Sequence, residues 1–299
     1  MFVFRNQVVS PKEKVKPNIL HLAHIARVAA YSNIPGLGHC DFGRFVVLSQ
    51  PRSGSNLIVR LLQSHPNIDC FGEVLGDRIY WSKRVGSQHP ALYAMRGHDP
   101  AGFVERHVWY PHPRAIRAVG FKLLYSQAGF RPASDGRGLV SEGIVERLLA
   151  LPGLSVINLV RRNSLRKLLS LKKSRITGQD IALKKEDWRD DPPAHLTIGE
   201  CEAFFRQQEA HAIFIRQKFL ASRFMEIFYE DTLRDRQAET DRICGFLGVP
   251  KMRLVVGTHR QSHMPLMQRV LNFDELSQHF KETRWSHFFT EAQEAELID

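Results

Sequence analysis

The stretch Phe45-Val-Val-Leu-Ser-Gln-Pro-Arg-Ser-Gly-Ser-Asn-Leu57 constrains the fold more than any other part of the chain. Four consecutive apolar residues, Phe45 to Leu48, read as a buried strand, and the Ser/Gln/Pro/Arg/Ser/Gly run after them reads as a tight loop. From Ser55 the period changes, because Leu57, Ile58, Leu61 and Leu62 fall on one face of a helix. Strand, small-residue loop and helix together make an anion cradle. Loop amides and the helix N-terminus point at the ligand, and the helix dipole favours negative charge there. The cradle is not a Walker A loop, which needs a leading glycine and a lysine before Ser55. Ser49 and Gly54 occupy those positions, and the nearby basic residue is Arg52.

The same alternation recurs down the chain. Ile68–Phe71, Arg117–Tyr125, Leu154–Val160 and Phe224–Phe228 read as further strands separated by helical patterns. This order predicts an α/β chain with a P-loop-like, doubly wound parallel sheet flanked by helices. We expect an N-terminal arm and helix over residues 1–40, capped by Asn18, and a single domain over 41–299. The N-terminal helix either packs on the core edge or serves as a homodimer arm. Acceptor-side insertions are expected at about 76–114 and 177–196, the second containing Trp188, which could stack on a ring. A glycine-rich surface loop is expected over 129–138, a helix capped by Ser141 after it, and a Thr197/Glu200 capping box before a long helix.

Composition narrows the partners. A net charge of +11 and a pI near 9.7 suit nucleic acid, an acidic membrane surface or a polyanionic small molecule. The single basic stripe interleaved with aromatics that marks a single-strand binder is not seen, which argues against a nucleic-acid partner. Cys40, Cys70, Cys201 and Cys244 make no metal-like spacing, so free thiols, a reducing compartment and no bound metal are expected. No apolar run approaches the length of a membrane span, which reads as a cytoplasmic protein without an integral membrane segment.

In a doubly wound sheet, ligands sit beyond the carboxyl ends of the strands. Arg52, Glu73, Lys122, Arg161, Arg162 and Glu230 all follow or end a predicted strand, so one mouth should collect them. Two basic clusters at strand-to-helix junctions suggest a ligand with two separated anionic groups. One is Arg52-Ser53-Gly54-Ser55, and the other is Arg162 with Ser170 two helical turns later. Spacing favours Arg162 over Arg161 as the binding fork, and the reverse stays open. Lys122 suits either a ligand contact or an ion pair at the strand end, and Glu230 suits a structural cap or ion-pair partner.

These segments resemble the sulfotransferases that use 3′-phosphoadenosine 5′-phosphosulfate (PAPS) as donor and release the bisphosphate PAP. Gln50–Leu57 resembles their 5′-phosphosulfate loop, and Leu159–Ser170 resembles their 3′-phosphate motif. His65-Pro66-Asn67, Gly72-Glu73, Gly120-Phe121-Lys122-Leu123, Tyr229-Glu230-Asp231 and Val270–Leu276 look like bacterial carbohydrate sulfotransferases of the trehalose, Nod-factor and lipopolysaccharide type. Many eukaryotic members carry Lys where Arg52 stands and Pro where Ser164 stands, and their glycine-rich C-terminal loop is not recognisable here. The resemblance implies that Arg52, Ser53, Gly54, Ser55, Asn56, Arg162 and Ser170 bind the donor, that Arg52 stabilises the leaving phosphate, and that Glu73 is the base. His112 is the runner-up base. The implied acceptor is a glycan or glycolipid hydroxyl, with O- or N-sulfation of a small natural product as the alternative. A nucleotide kinase or NTPase is the competing class, and the missing Walker lysine weighs against it.

Overall fold

The computed structural model describes residues 19–76, 79–80, 86–87, 90–128, 144–177, 193–254 and 265–290. The first half comprises α1 (Ile19–Asn33), β1 (Gly43–Ser49), α2 (Ser55–Ser64), β2 (Ile68–Glu73), the short strands β3 (Ile79–Tyr80) and β4 (Gly86–Ser87), α3 (Pro90–His98) and α4 (Pro100–His107). There follow β5 (Ala118–Leu124), α5 (Ile144–Ala150), β6 (Ser155–Val160), α6 (Ser164–Thr177), α7 (Ile198–Lys218), β7 (Arg223–Phe228), α8 (Tyr229–Arg234), α9 (Arg236–Leu247), α10 (Leu266–Arg269) and α11 (Phe273–Phe280).

Five strands form one parallel sheet in the order β2-β5-β1-β6-β7, with β1 at its centre. That position explains the unbroken apolar run, since Phe45 to Leu48 are all 0% exposed and face helices on both sides. On one face Val46, Leu48 and Phe121 pack under Val104 of α4, Leu148 of α5 and Phe219. On the other, Phe45, Val47 and Ile157 pack under Ile58 and Leu62 of α2 and Ile243 of α9. The sheet is therefore doubly wound, as the alternation predicts. A third core joins Leu165 and Leu169 of α6 to Phe205 of α7, Phe280 of α11 and Trp285, and it fixes α6 beside the sheet.

Two local features aim the strand ends. Gly120 lets β5 press on β1, because a Cβ there would stand 2.3 Å from the Phe45 carbonyl oxygen. The β2–β5 register shifts between Phe71 and Glu73, so that Glu73 comes opposite Lys122. A bulge of this kind re-aims a side chain at the end of a strand. The 76–114 insertion contains the β3–β4 pair and helices α3 and α4. Thr197 caps α7 by accepting from the Glu200 amide at 3.2 Å, but the Glu200 carboxylate turns to Lys172 at 2.8 Å, so the expected box is only half formed. The arm before residue 18, Asn18, the 129–138 loop, Ser141 and most of the 177–196 insertion with Trp188 lie outside the described residues.

Candidate functional site

The loop after β1 has a backbone that few residues tolerate. Arg52 adopts φ 66°, the left-handed region that non-glycine residues enter rarely and that functional loops use. Gly54 follows at φ 85° as the N-cap of α2. A Cβ on Gly54 would stand 2.2 Å from the Tyr229 ring, so glycine is required here by both conformation and space. Ser53 and Ser55 are buried, and among the described residues Ser53 Oγ has no hydrogen-bond partner. A buried hydroxyl left open in a loop at a helix N-terminus fits an anionic ligand.

Arg52 Nε donates to Ser170 Oγ at 2.9 Å, which brings the two motifs into direct contact. Arg161 completes this corner. Its Nη1 donates to the Arg52 carbonyl at 3.4 Å, and its guanidinium carbon lies 4.9 Å from the Tyr229 ring centroid. Its Nε is buried without a partner among the described residues. Arg162, one residue on, turns elsewhere. Its fork closes on Asp231 in two hydrogen bonds of 2.6 and 2.8 Å, and its guanidinium lies 3.8 Å from the Phe228 ring centroid. The Arg162 hydrogen bonds, more than its charge, hold the Asp231 carboxyl below the usual carboxylate range. Thus the guanidinium that meets the loop is Arg161, although spacing favours Arg162.

Glu230 serves as a cap. Its carboxylate accepts from the Arg162 amide at 3.1 Å and the Asn163 amide at 3.2 Å, satisfying donors at the start of α6.

On the other side of the loop, Lys122 is almost fully buried and bridges two site residues. Its ammonium lies 2.7 Å from Glu73 Oε1 and donates to Asn56 Oδ1 at 3.0 Å. Gln127 donates to the second Glu73 oxygen at 2.9 Å. The Glu73 carboxylate is thus held on both oxygens and tied through Lys122 to Asn56 of the cradle helix. His112, by contrast, is wholly buried. Its Nε2 donates to the Val108 carbonyl at 2.8 Å and its Nδ1 lies 3.2 Å from Asp69, which also pairs with Arg27 of α1. That is a structural setting.

Sequence reasoning missed Lys167, Gln127 and the Arg162–Asp231 pair. A signal for Lys167 existed, since it lies three residues before Ser170 on one helix and so shares its face.

A parallel sheet whose central strand feeds an arginine-bearing anion loop, opposed by a second basic motif, defines a class that comparison with known proteins identifies. The chain belongs to the sulfotransferase family, whose model matches residues 44–253. It is an enzyme of sulfuryl transfer. Among individual proteins, it is 30% identical over 248 residues to Nodulation protein H of Rhizobium meliloti strain 1021, a match covering 82% of this chain and 94% of that protein. Nodulation protein H of Rhizobium tropici is likewise 30% identical over 249 residues, covering 82% of this chain and 92% of that one. A crystal structure of a sulfotransferase from Alicyclobacillus acidocaldarius aligns at 16% identity and a TM-score of 0.44, covering 85% of this chain and 93% of that one.

Among the described residues, no helix is long and apolar enough to cross a membrane.

Proposed function

We propose that the chain transfers a sulfuryl group from PAPS to a hydroxyl of a carbohydrate or glycolipid acceptor. The observation that carries this reading is the Arg52–Ser170 contact, which joins a 5′-type and a 3′-type anion motif in one site. The open Ser53 hydroxyl and Arg161 Nε, both buried, suit the oxygens of a bisphosphorylated nucleotide. The carbohydrate assignment rests on the bacterial resemblance and the likeness to the rhizobial nodulation proteins. The domain proper is residues 41–299 and the setting cytoplasmic, in keeping with the free thiols Cys40, Cys70, Cys201 and Cys244.

In this reading Arg52 and the amides of Ser53 to Asn56 meet the phosphate that leaves as its bridging oxygen gains charge. Ser170 and a guanidinium of the Arg161-Arg162 pair hold the second phosphate. Glu73 takes the proton from the acceptor hydroxyl as its oxygen attacks sulfur, and the bond from sulfur to the bridging oxygen breaks in line. Sulfuryl transfer, like phosphoryl transfer, depends on positioning and charge stabilisation more than on covalent help from the protein. Lys122 orients Glu73 and Asn56 together, which keeps the base in register with the cradle.

The test is Glu73→Gln assayed with PAPS and a panel of glycan and glycolipid acceptors. Turnover is expected to drop by about 10²–10⁴-fold, the usual worth of a positioned base, with PAP binding retained. Near-normal turnover would remove Glu73 from the role.

A further inference from the structure

Lys167 is a buried basic residue that the chemistry above leaves unused. It lies on α6, is 4% exposed, and its nitrogen donates to the side-chain carbonyl oxygens of Gln50 and, at 2.5 Å, of Gln208. Gln50 is the residue that leaves β1 and opens the anion loop, two positions before Arg52. Because its carbonyl oxygen accepts from Lys167, its amide nitrogen faces His211 and donates to Nδ1 at 2.6 Å. The ring proton of His211 then sits on Nε2. Lys167 thus anchors one end of a chain whose middle member is the first residue of the loop.

The surroundings suit the neutral amine better than the ammonium. A neutral amine offers two N–H donors, and two amide oxygens accept them; an ammonium offers three. Among the described residues no carboxylate lies within ion-pair distance of Lys167. Three groups face it electrostatically: Arg161 from the end of β6, which repels it, Glu230 of α8, which attracts it, and His211 of α7. Burial first, and then the Arg161 charge, hold Lys167 well below the ordinary lysine range. A bound bisphosphate would change this balance, because its negative charges would offset Arg161 and Arg52 and favour a third proton on Lys167.

We propose that Lys167 takes up a proton from solvent when the donor nucleotide occupies the Arg52–Asn56 loop, making it a positioning residue whose charge holds Gln50 and the loop in the loaded state. The proton adds to the Nζ lone pair, no covalent bond to a heavy atom changes, and release of PAP returns it. This rests on the nucleotide reading above.

The experiment is calorimetric titration of the full chain with PAP in two buffers of different ionisation enthalpy, for wild type and Lys167→Met. Wild type should take up close to one proton more per PAP than the variant, because protons exchanged by the nucleotide itself cancel in the difference. Equal exchange in the two proteins, with PAP still bound, overturns the proposal and leaves the nucleotide reading standing. No PAP binding by wild type overturns both. Should Lys167→Met fail to fold, the wild-type pH series decides. Proton uptake requires PAP affinity to fall by up to about tenfold per unit as pH rises above the free-state titration of Lys167. An affinity that shows no such fall at any pH at which the chain stays folded overturns the proposal.

Discussion

Arg52 and Ser170 are 118 residues apart in the chain, yet Arg52 Nε donates to Ser170 Oγ at 2.9 Å. The bond ties the loop after the central strand β1 to α6, the helix after its sheet neighbour β6, so the two anion motifs meet on a single surface. Ser170→Ala removes a hydrogen bond to a charged group and also a hydroxyl offered to phosphate. Such bonds are worth about 1.5–3 kcal/mol, so PAP affinity measured by calorimetry should weaken by about 10–100-fold. The melting temperature without nucleotide should also fall by a few degrees, because the Arg52–Ser170 bond is already made in the free protein.

Gly54 is the position where backbone and packing agree most strictly. Its φ of 85° and the 2.2 Å approach of a Cβ to the Tyr229 ring both oppose any side chain. Gly153 provides the control, with φ 70° and nothing within 4 Å. Gly153→Ala should cost about 1 kcal/mol in chemical denaturation, the strain of the left-handed region alone. Gly54→Ala should cost several-fold more, or keep its fold by displacing the loop and lose PAP binding.

Much of this arrangement was legible because period and position speak locally. Phe45 to Leu48 show a strand buried on both faces, and the switch to helical spacing at Ser55 marks where an anion would sit. Glu73, Lys122 and Arg161 were recognisable as strand-end residues, which a parallel sheet gathers at one edge. What was not legible is set by side-chain direction and by distant partners. Whether Arg161 or Arg162 turns toward the loop depends on Asp231 of α8, which follows the neighbouring strand β7 and takes the Arg162 fork. The bulge that brings Glu73 opposite Lys122 is a one-residue register change that alternation cannot reveal. The setting of Lys167 is not legible either, because Gln50 and Gln208, whose oxygens accept from it, lie 117 and 41 residues away.

The Arg162–Asp231 pair carries its own prediction. A fork that could grip phosphate is closed on a carboxylate, so Asp231 competes with the nucleotide for it. The pair is part-exposed and screened, and such pairs are worth about 0–1 kcal/mol. Asp231→Asn should therefore tighten PAP binding by a factor of at most about five, with the gain fading at high salt. Weaker binding in Asp231→Asn would mean that the carboxylate orients Arg162 for the ligand instead of competing for it.

In the proposed reading, the Arg52 loop and the Ser170 motif hold two separated phosphates in one site. Metal-free titration of the wild-type chain with PAP and with adenosine 5′-phosphate tests it most directly, because the two differ only in the 3′-phosphate. If Ser170 and the Arg161-Arg162 pair grip that group, PAP should bind about 10–100-fold more tightly, the worth of charge-assisted hydrogen bonds. Equal affinity for the two nucleotides would contradict the two-phosphate site.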